Sequence, residues 1–530
     1  MADVKMVSLT IEGRPVTVPD GLSILEAAKT AGILIPHYCY HPGLPVAGVC
    51  RMCLVEVEKF PKLAPACATS VMEGQVVHVH SPKALEARKG VLEFLLINHP
   101  LDCPICDQSG ECELQDYTFA EGPAESRFRE PKRFTPVEDF GGDVLYVQNR
   151  CILCTRCVRF MSDVAQEPVL NVSERGDRAF IGKAEGHDLT NPWAGNVIDL
   201  CPVGALLSKD FLNKARAWEL DRAPTICTGC SQGCNAVGET RDDVLVRIRP
   251  RPNEAVNQYY LCETGRQTYR SFNRRDRIEQ PLVRNGHTLA VSDWDDAVTA
   301  AARALEGRRL VMLASPNLSN EALFLLERLR SSLGGTGVFR VTRDQAVPLP
   351  GAPDLALRAE RAANATAARL LGFTEVSGLA DTLQSGDALL VVDDELAGID
   401  SALLDRAGAI VHIGTVLPEV LTARAAVVLP MANVMEEEGT LTNLRGRVQR
   451  FMQVKSAPGV ARPSWYVLAD LVSACGGDGR FFLASEVFGA LSATHAAFGG
   501  LDLEALGLMG AQIDPTTLTT ASTSAAGASR

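Results

Sequence analysis

The sequence predicts an α+β N-terminal half, built from several small cysteine-bearing modules, followed by an α/β C-terminal half. The first observation is the cysteine distribution: 15 of the 16 fall between Cys39 and Cys262, and only Cys475 lies beyond. The second is that short apolar runs alternate with helix-patterned segments after about residue 280, which is typical of a mostly parallel sheet covered by helices. At 530 residues the chain is also long enough for several domains.

Composition argues against several classes of protein. A hydrophobic content of 46% with 22% charged residues is typical of a globular chain, and a net charge of -12 argues against nucleic acid as a partner. The N-terminus has neither a secretion-signal nor a transit-peptide pattern, and no run of 18 apolar residues occurs. We therefore expect thiols that bind metal in a reducing compartment, and contact with a membrane only through partners.

Residues 1–80 are predicted to form a β-grasp ferredoxin-like domain. Alternating apolar and polar residues over 4–18 predict a hairpin with a Glu-Gly turn, and the capping-box string SILE opens a short helix. Two further strand-like segments, 54–58 and 75–80, accompany a loop rich in cysteine. A hairpin, a helix, a cysteine-bearing loop and two further strands are the elements expected of a β-grasp ferredoxin.

The first set of candidate ligands comprises Cys39, Cys50 and Cys53 in that loop and Cys67 after the segment 54–58, spaced C-x10-C-x2-C-x13-C. The plant-type [2Fe–2S] pattern has the same central C-x2-C between different outer spacings. In a β-grasp context this favours a [2Fe–2S] cluster. Zinc, which also accepts four thiolates, is the alternative, although structural zinc usually pairs two short cysteine knuckles.

Residues 81–140 are predicted to contain a helix over 82–97 and a second ligand set, with a proline- and charge-rich linker over 121–142. The second set is His99, Cys103, Cys106 and Cys112, in the string HPLDCPICDQSGEC. Three thiolates and one imidazole suit a [4Fe–4S] cluster whose reduction potential is raised by the neutral ligand, as in Rieske centres. The alternative is a structural histidine, which is the commoner role for a lone histidine.

Residues 141–220 are predicted to form a ferredoxin-like [4Fe–4S] module. The third set is Cys151, Cys154, Cys157 and Cys201, in the strings CILCTRC and CPVGA. C-x2-C-x2-C with a remote Cys-Pro is the ferredoxin-like arrangement, and three cysteines at this spacing can wrap one cubane. This is the most specific single pattern in the chain.

Residues 221–275 are predicted to form a four-cysteine [4Fe–4S] subdomain. The fourth set is Cys227, Cys230, Cys234 and Cys262, spaced C-x2-C-x3-C-x27-C, for which zinc is again an alternative. The fifteen cysteines from Cys39 to Cys262 and His99 together fill four sets of four ligands. Cys475 stands outside every set and is interpreted as a structural cysteine.

Residues 276–510 are predicted to form an α/β domain. Its expected strands include 310–314, 388–392, 409–413 and 426–429, and 320–333 is an expected helix. Residues 511–530, rich in Thr, Ser and Ala, are predicted to be a disordered tail. The chain contains neither G-x-G-x-x-G after a strand nor a Walker A loop, so the NADH and flavin sites are expected in partners.

In order and spacing, the four sets resemble those of the large iron–sulfur subunits of bacterial NADH-quinone oxidoreductase (respiratory complex I), over roughly residues 1–450. The resemblance implies an electron-relay subunit of this translocase, with no NADH or quinone site of its own. Its implied partners are the flavin subunit that oxidises NADH and the other iron–sulfur and quinone-site subunits. It also implies a peripheral location at the cytoplasmic face of the bacterial inner membrane, with the fourth set off the main path of electrons.

The C-terminal half resembles molybdopterin oxidoreductases such as formate dehydrogenase, on RIEQPLVRNG at 277–286 and GTLTNLRGRVQ at 439–449. Where those enzymes commonly have a lysine two residues after the last cluster cysteine, this chain has Thr264, and no cysteine stands where molybdenum would be bound. No molybdopterin is therefore expected. The alternatives are a subunit of a molybdopterin formate dehydrogenase, a subunit of an NAD-linked hydrogenase, and a zinc-stabilised scaffold.

Overall fold

The computed structural model describes residues 5–514, which divide into two compact units. Unit 1 comprises the residues up to Leu220 together with Leu349–Pro353. Unit 2 comprises Asp221–Pro348 and the residues from Asp354 onward. No helix within residues 5–514 combines the length and the apolar character needed to cross a bilayer.

Unit 1 begins with the predicted β-grasp arrangement. Its five-stranded sheet has the spatial order Arg14–Pro19, Met6–Ile11, Val76–His78, Leu54–Val57, Ala64–Pro65. The first two strands are antiparallel and turn at Glu12 and Gly13, which both have positive φ as the tight hairpin turn requires. Buried side chains of the sheet and of the helix Ile24–Thr30 form one apolar core, and Ser23 and Glu26 form the predicted capping box.

The rest of unit 1 is a series of short elements that carry the second and third sets. Its longest helix, Pro82–Leu96, begins after the capping residue Ser81, and its fully buried Arg88 pairs with Glu121 at 2.8 Å. Its other helices, including 3-10 and π turns, are Cys103–Ile105, Glu113–Glu121, Gln148–Arg150, Arg156–Arg159, Phe160–Val164, Gly176–Arg178, Asn196–Leu200 and Ala217–Glu219. Its other strands are Glu138–Gly141, Val144–Tyr146, Leu170–Ser173, Phe180–Lys183 and Leu206–Ser208.

Unit 2 opens with a three-stranded antiparallel sheet that carries the fourth set. The strands are Asp221–Ile226, Asn235–Arg241 and Val244–Pro250. Two short helices, Glu263–Gln267 and Tyr269–Phe272, follow. The last cysteine of the fourth set caps the first of these helices.

The remainder of unit 2 is built on an eight-stranded sheet. Its spatial order is Thr288–Val291, Leu282–Asn285, Val427–Pro430, Ala409–Gly414, Ala388–Val392, Leu310–Ala314, Gly335–Phe339, Thr374–Glu375. The last six strands in that order run parallel, and the first two form an antiparallel hairpin at one edge. The four predicted strands lie at its centre, so the predicted α/β class is confirmed.

Helices and small sheets complete unit 2. The helices are Trp294–Leu305, Asn320–Leu333, Ala365–Leu370, Ser401–Leu404, Glu419–Thr422, Ser464–Ala474 and Ala484–Thr494, with a 3-10 turn at Ala496–Phe498. The smaller strands are Val347–Pro348, Ala356–Leu357, Gly439–Thr442, Arg447–Phe451 and Ala511–Gln512. Apolar side chains from several of the helices and the large sheet form one buried core.

The predicted disordered tail begins too early. Ala511–Gln512 is a strand that pairs with Arg447 and Val448, and Ile513 is buried. These backbone pairings and this apolar burial order a segment whose composition alone indicated disorder. Residues 515–530 of that predicted tail lie outside the described part of the chain.

Candidate metal centres

The first set lies beside the sheet of the β-grasp domain: Cys39, Cys50 and Cys53 precede the strand Leu54–Val57, and Cys67 follows the strand Ala64–Pro65. Cys39, Cys53 and Cys67 are buried, and Cys50 is partly exposed. The backbone N–H of Cys39 donates to Cys50 Sγ at 3.5 Å. Thiol hydrogen bonds also join Cys39 to Cys50 and Cys67, and they lower the pKa of Cys39. A further thiol hydrogen bond joins Cys53 to Cys67, so the structure brings all four sulfurs together.

The second set lines an open cavity of about 600 Å³ in unit 1. Cys106 and Cys112 are buried beside it, whereas Cys103 is exposed. Within the described chain, the buried Nδ1 of His99 has no hydrogen-bond partner. Burial, helped by the nearby Lys132, lowers the pKa of His99 to about 4, so the imidazole is neutral at pH 7. A neutral imidazole with an unpartnered nitrogen and three thiols around one cavity fits an iron–sulfur cluster.

Gly204 lies against the second set and leaves no room for a side chain. A Cβ added to Gly204 would collide with Cys106 Sγ and would lie 3.1 Å from the Cβ of Gln108. We therefore expect Gly204→Ala to displace the Cys106 thiolate, so that the second centre is lost while the other centres are kept. Iron and sulfide analysis with EPR spectroscopy checks this.

Gly90→Ala is the matched control for that substitution. Gly90 lies inside the helix Pro82–Leu96, and a Cβ added there meets no atom within 4 Å. Since alanine is the better helix former by about 0.5–1 kcal/mol, this variant should keep every centre. A full second-centre signal in the Gly204→Ala protein would show that the Cys106 position is not required.

Three cysteines of the third set, Cys151, Cys154 and Cys157, lie in a tight loop and the start of the helix that follows it. Leu153 and Thr155 both adopt the left-handed backbone conformation, with φ of 52° and 60°, and the loop then enters a short helix. Burial, together with the neighbouring thiols of the set, raises the pKa of Cys154 to about 12 and that of Cys201 to about 11. Four such thiols ionise together only around a cationic group, which the iron ions of a cluster supply.

A buried tyrosine donates a hydrogen bond to the third set. Tyr146 is 1% exposed, and its hydroxyl is hydrogen-bonded to the Cys151 thiol. Because a donor to a ligand sulfur stabilises the more negative, reduced state of a cluster, we expect Tyr146→Phe to lower the midpoint potential of the third centre. An EPR-monitored redox titration measures it. Tyr466→Phe, in a helix of unit 2, is the control, and equal midpoints in both variants would contradict a role for this hydroxyl.

The fourth set lies at the end of the strand Asp221–Ile226, and its four thiols are buried. Backbone amides point at the sulfurs: the N–H of Gly229 donates to Cys227 Sγ and that of Gly265 to Cys262 Sγ, both at 3.4 Å. A Cβ on Gly265 would lie 3.0 Å from Cys227 Sγ, so a side chain there would press on the site. Burial raises the pKa of Cys262 to about 12.

In each of the four sets, several thiols are close neighbours. Within residues 5–514, no three His, Cys, Asp or Glu side chains are placed as ligands of one metal ion. The thiols of the third set interact electrostatically with one another, as do those of the fourth. The ligand roles of the sixteen side chains stay predictions. Sequence patterns missed Gly204 and Tyr146, because both act on cysteines through tertiary contacts.

Five family models match the chain in succession. Residues 4–82 match a 2Fe-2S iron-sulfur cluster binding domain, and 88–127 match the NADH-ubiquinone oxidoreductase-G iron-sulfur binding region. Residues 141–207 match the ferredoxin-like domain of NADH-quinone oxidoreductase subunit 3. Residues 220–274 match the molybdopterin oxidoreductase Fe4S4 domain, and 360–474 match molybdopterin oxidoreductase. The predicted fold class and the presence of 2Fe-2S and 4Fe-4S binding domains are confirmed.

Several proteins are similar to this chain. The G subunit of NADH-quinone oxidoreductase from Rickettsia bellii is 40% identical over 332 residues, which are 62% of this chain and 49% of that protein. The mitochondrial NADH-ubiquinone oxidoreductase 78 kDa subunit of Candida albicans is 42% identical over 339 residues, 63% of this chain and 47% of that protein. The match therefore spans about half the length of these relatives. It confirms the resemblance seen in the cysteine patterns.

One solved structure, a crystal structure of NAD+-reducing [NiFe]-hydrogenase in the H2-reduced state, is also similar. It is 29% identical, and the match covers 39% of this chain and 90% of that chain, with a TM-score of 0.35. A TM-score of this size is too low to support an inference about fold or function.

Proposed function

We propose that this chain is the iron–sulfur electron-transfer subunit of an NADH-quinone oxidoreductase and relays electrons from an NADH-oxidising flavin subunit toward quinone. The observation that carries the proposal is the convergence of sixteen cysteine and histidine side chains as four sets, in the order and spacing of that family. Three of these sets lie in unit 1 and one lies in unit 2.

The proposed cofactors are one [2Fe–2S] cluster at the first set and three [4Fe–4S] clusters at the others. Each cluster, when bound, accepts and releases a single electron with little change in geometry. The chain's own residues supply the ligands, exclude water from most of the sulfurs and donate hydrogen bonds to them. In the first, third and fourth sets, backbone amides of Cys39, Leu153, Gly229 and Gly265 donate to cysteine sulfur.

The cluster of the second set is proposed to pass electrons to the next acceptor, which lies in a partner subunit. The cavity of this set opens at the surface, where Phe119 and Trp218 line it with 96% and 67% of their surface exposed. Exposed apolar side chains of this size are typical of a surface that a partner covers. The partners in this proposal are the flavin subunit and the other iron–sulfur and quinone-site subunits, through which a peripheral chain reaches the cytoplasmic face of the inner membrane.

The fourth set is proposed to bind a cluster off the main path, on a scaffold that no longer binds molybdopterin. Thr264 replaces the lysine common in molybdopterin enzymes. Cys475, the one cysteine between residues 263 and 514, ends the helix Ser464–Ala474 and packs against the apolar core. A purified complex with bound molybdenum and formate oxidation would favour the molybdopterin alternative.

Purification of the chain from its host with its partners tests this function. The assembled complex should oxidise NADH and reduce a quinone, and membranes lacking the chain should lose NADH-dependent quinone reduction. Restoring the intact chain should restore the activity. A complex that instead couples NAD reduction to hydrogen oxidation would contradict the proposal in favour of the hydrogenase alternative.

A further inference from the structure

A buried arginine connects three of the four sets. Arg156 lies inside the CTRC string of the third set and is 4% exposed. Its guanidinium donates to the carbonyl oxygen of Tyr40 at 2.9 Å and to that of Leu200 at 3.2 Å. It also donates to both carboxylate oxygens of Glu113, at 3.2 and 3.3 Å.

Each of these partners stands next to a cysteine of a different set. Tyr40 follows Cys39 of the first set, Glu113 follows Cys112 of the second, and Leu200 precedes Cys201 of the third. Since the guanidinium is planar and carries five N–H donors in fixed directions, one arginine can hold three loops in a defined relation. A lysine in its place keeps the charge but not this geometry.

Arg159, one turn later in the same helix, connects only two of the sets. It donates to the carbonyl oxygens of Cys39 and Cys154, and to that of Pro45 in the first-set loop. Its contacts therefore include the first and third sets but not the second.

We propose that Arg156 is a positioning residue that fixes the loops of the first, second and third centres and raises their reduction potentials through one shared, buried positive charge. This inference rests on the proposed function. A reduced cluster carries one more negative charge than an oxidised one, so a nearby cation that is shielded from water favours reduction. Glu113 opposes this effect, because its carboxylate pairs with the Arg156 guanidinium, and it does so most at the second set, since it lies directly after Cys112.

Substitutions in the assembled complex, followed by EPR-monitored redox titration, test the proposal. Arg156→Gln should lower the midpoint potentials of all three centres, whereas Arg156→Lys should keep them near the unsubstituted values. Arg159→Gln should lower those of the first and third centres only. Glu113→Gln should raise all three midpoints, because Arg156 loses its carboxylate partner, and should raise that of the second centre most. The fourth centre serves as the internal reference.

The outcomes separate this inference from the proposed function. Unchanged midpoints in Arg156→Gln, or equal shifts in Arg156→Gln and Arg156→Lys, would overturn a role for the charge. If Arg156→Gln does not assemble, Glu113→Gln decides: raised midpoints at all three centres support the shared charge, and a rise at the second centre alone, or no rise at all, overturns it. An unsubstituted complex without reducible centres would instead overturn the proposed function.

Discussion

Cys154→Ser is expected to abolish NADH-dependent quinone reduction, leaving the rate at the level of membranes that lack the chain. Cys154 is the middle cysteine of the CILCTRC loop, and its side chain is buried among the other thiols of the third set. A serine hydroxyl is a far weaker ligand for iron than a thiolate. In the proposed path, electrons pass from the first set through the third to the second, so loss of the third centre interrupts the path. The measurement is the NADH:quinone activity of the assembled complex.

Cys475→Ser is the matched control for that experiment. Cys475 ends a helix of unit 2, packs against the apolar core and belongs to none of the four sets, so it is interpreted as a packing residue. This variant should keep both its activity and its iron. Normal turnover in a Cys154→Ser complex that has lost the third-centre EPR signal would contradict the proposed path.

The second large effect is expected from His99→Cys, which should lower the midpoint potential of the second centre by roughly 100 mV or more. A thiolate brings a negative charge where the neutral imidazole has none, and added negative charge disfavours reduction. The lowered pKa and the unpartnered Nδ1 of His99 are the features that support a neutral, ligating imidazole. A redox titration followed by EPR measures the shift.

His187→Cys controls for the presence of an added thiol, because His187 is exposed and belongs to none of the sets. Its second-centre midpoint should equal that of the unsubstituted protein. An unchanged or raised midpoint in His99→Cys would count against His99 as a ligand and favour a structural histidine.

Local sequence signals predicted the elements of the fold closely. The helix Asn320–Leu333 has the predicted bounds, because the Ser319 cap and Gly334 mark both of its ends. The strand Leu310–Ala314 also has its predicted bounds. The strand expected at 426–429 lies one residue later, at Val427–Pro430, because pairing with its neighbours sets strand ends more than hydropathy does. Caps and apolar runs are local, and so they can be read from the sequence.

Features that depend on distant contacts were beyond sequence patterns. Gly204 approaches Cys106 from about a hundred positions away, and Arg156 reaches Tyr40 across 116 positions. No periodicity or spacing encodes such pairs. One signal was available for the arginine: a charged residue inside a string of buried ligands needs a specific partner. The same limit explains the early start of the predicted tail, since Ala511 is ordered by pairing with Val448.

The metal content of the assembled complex tests the central claim most directly. If sixteen side chains hold one [2Fe–2S] and three [4Fe–4S] clusters, the chain should contribute about 14 iron atoms and an equal number of acid-labile sulfides, and reduction should give EPR signals from several centres. A colourless, zinc-rich protein that stays EPR-silent after anaerobic reconstitution with iron and sulfide would contradict it.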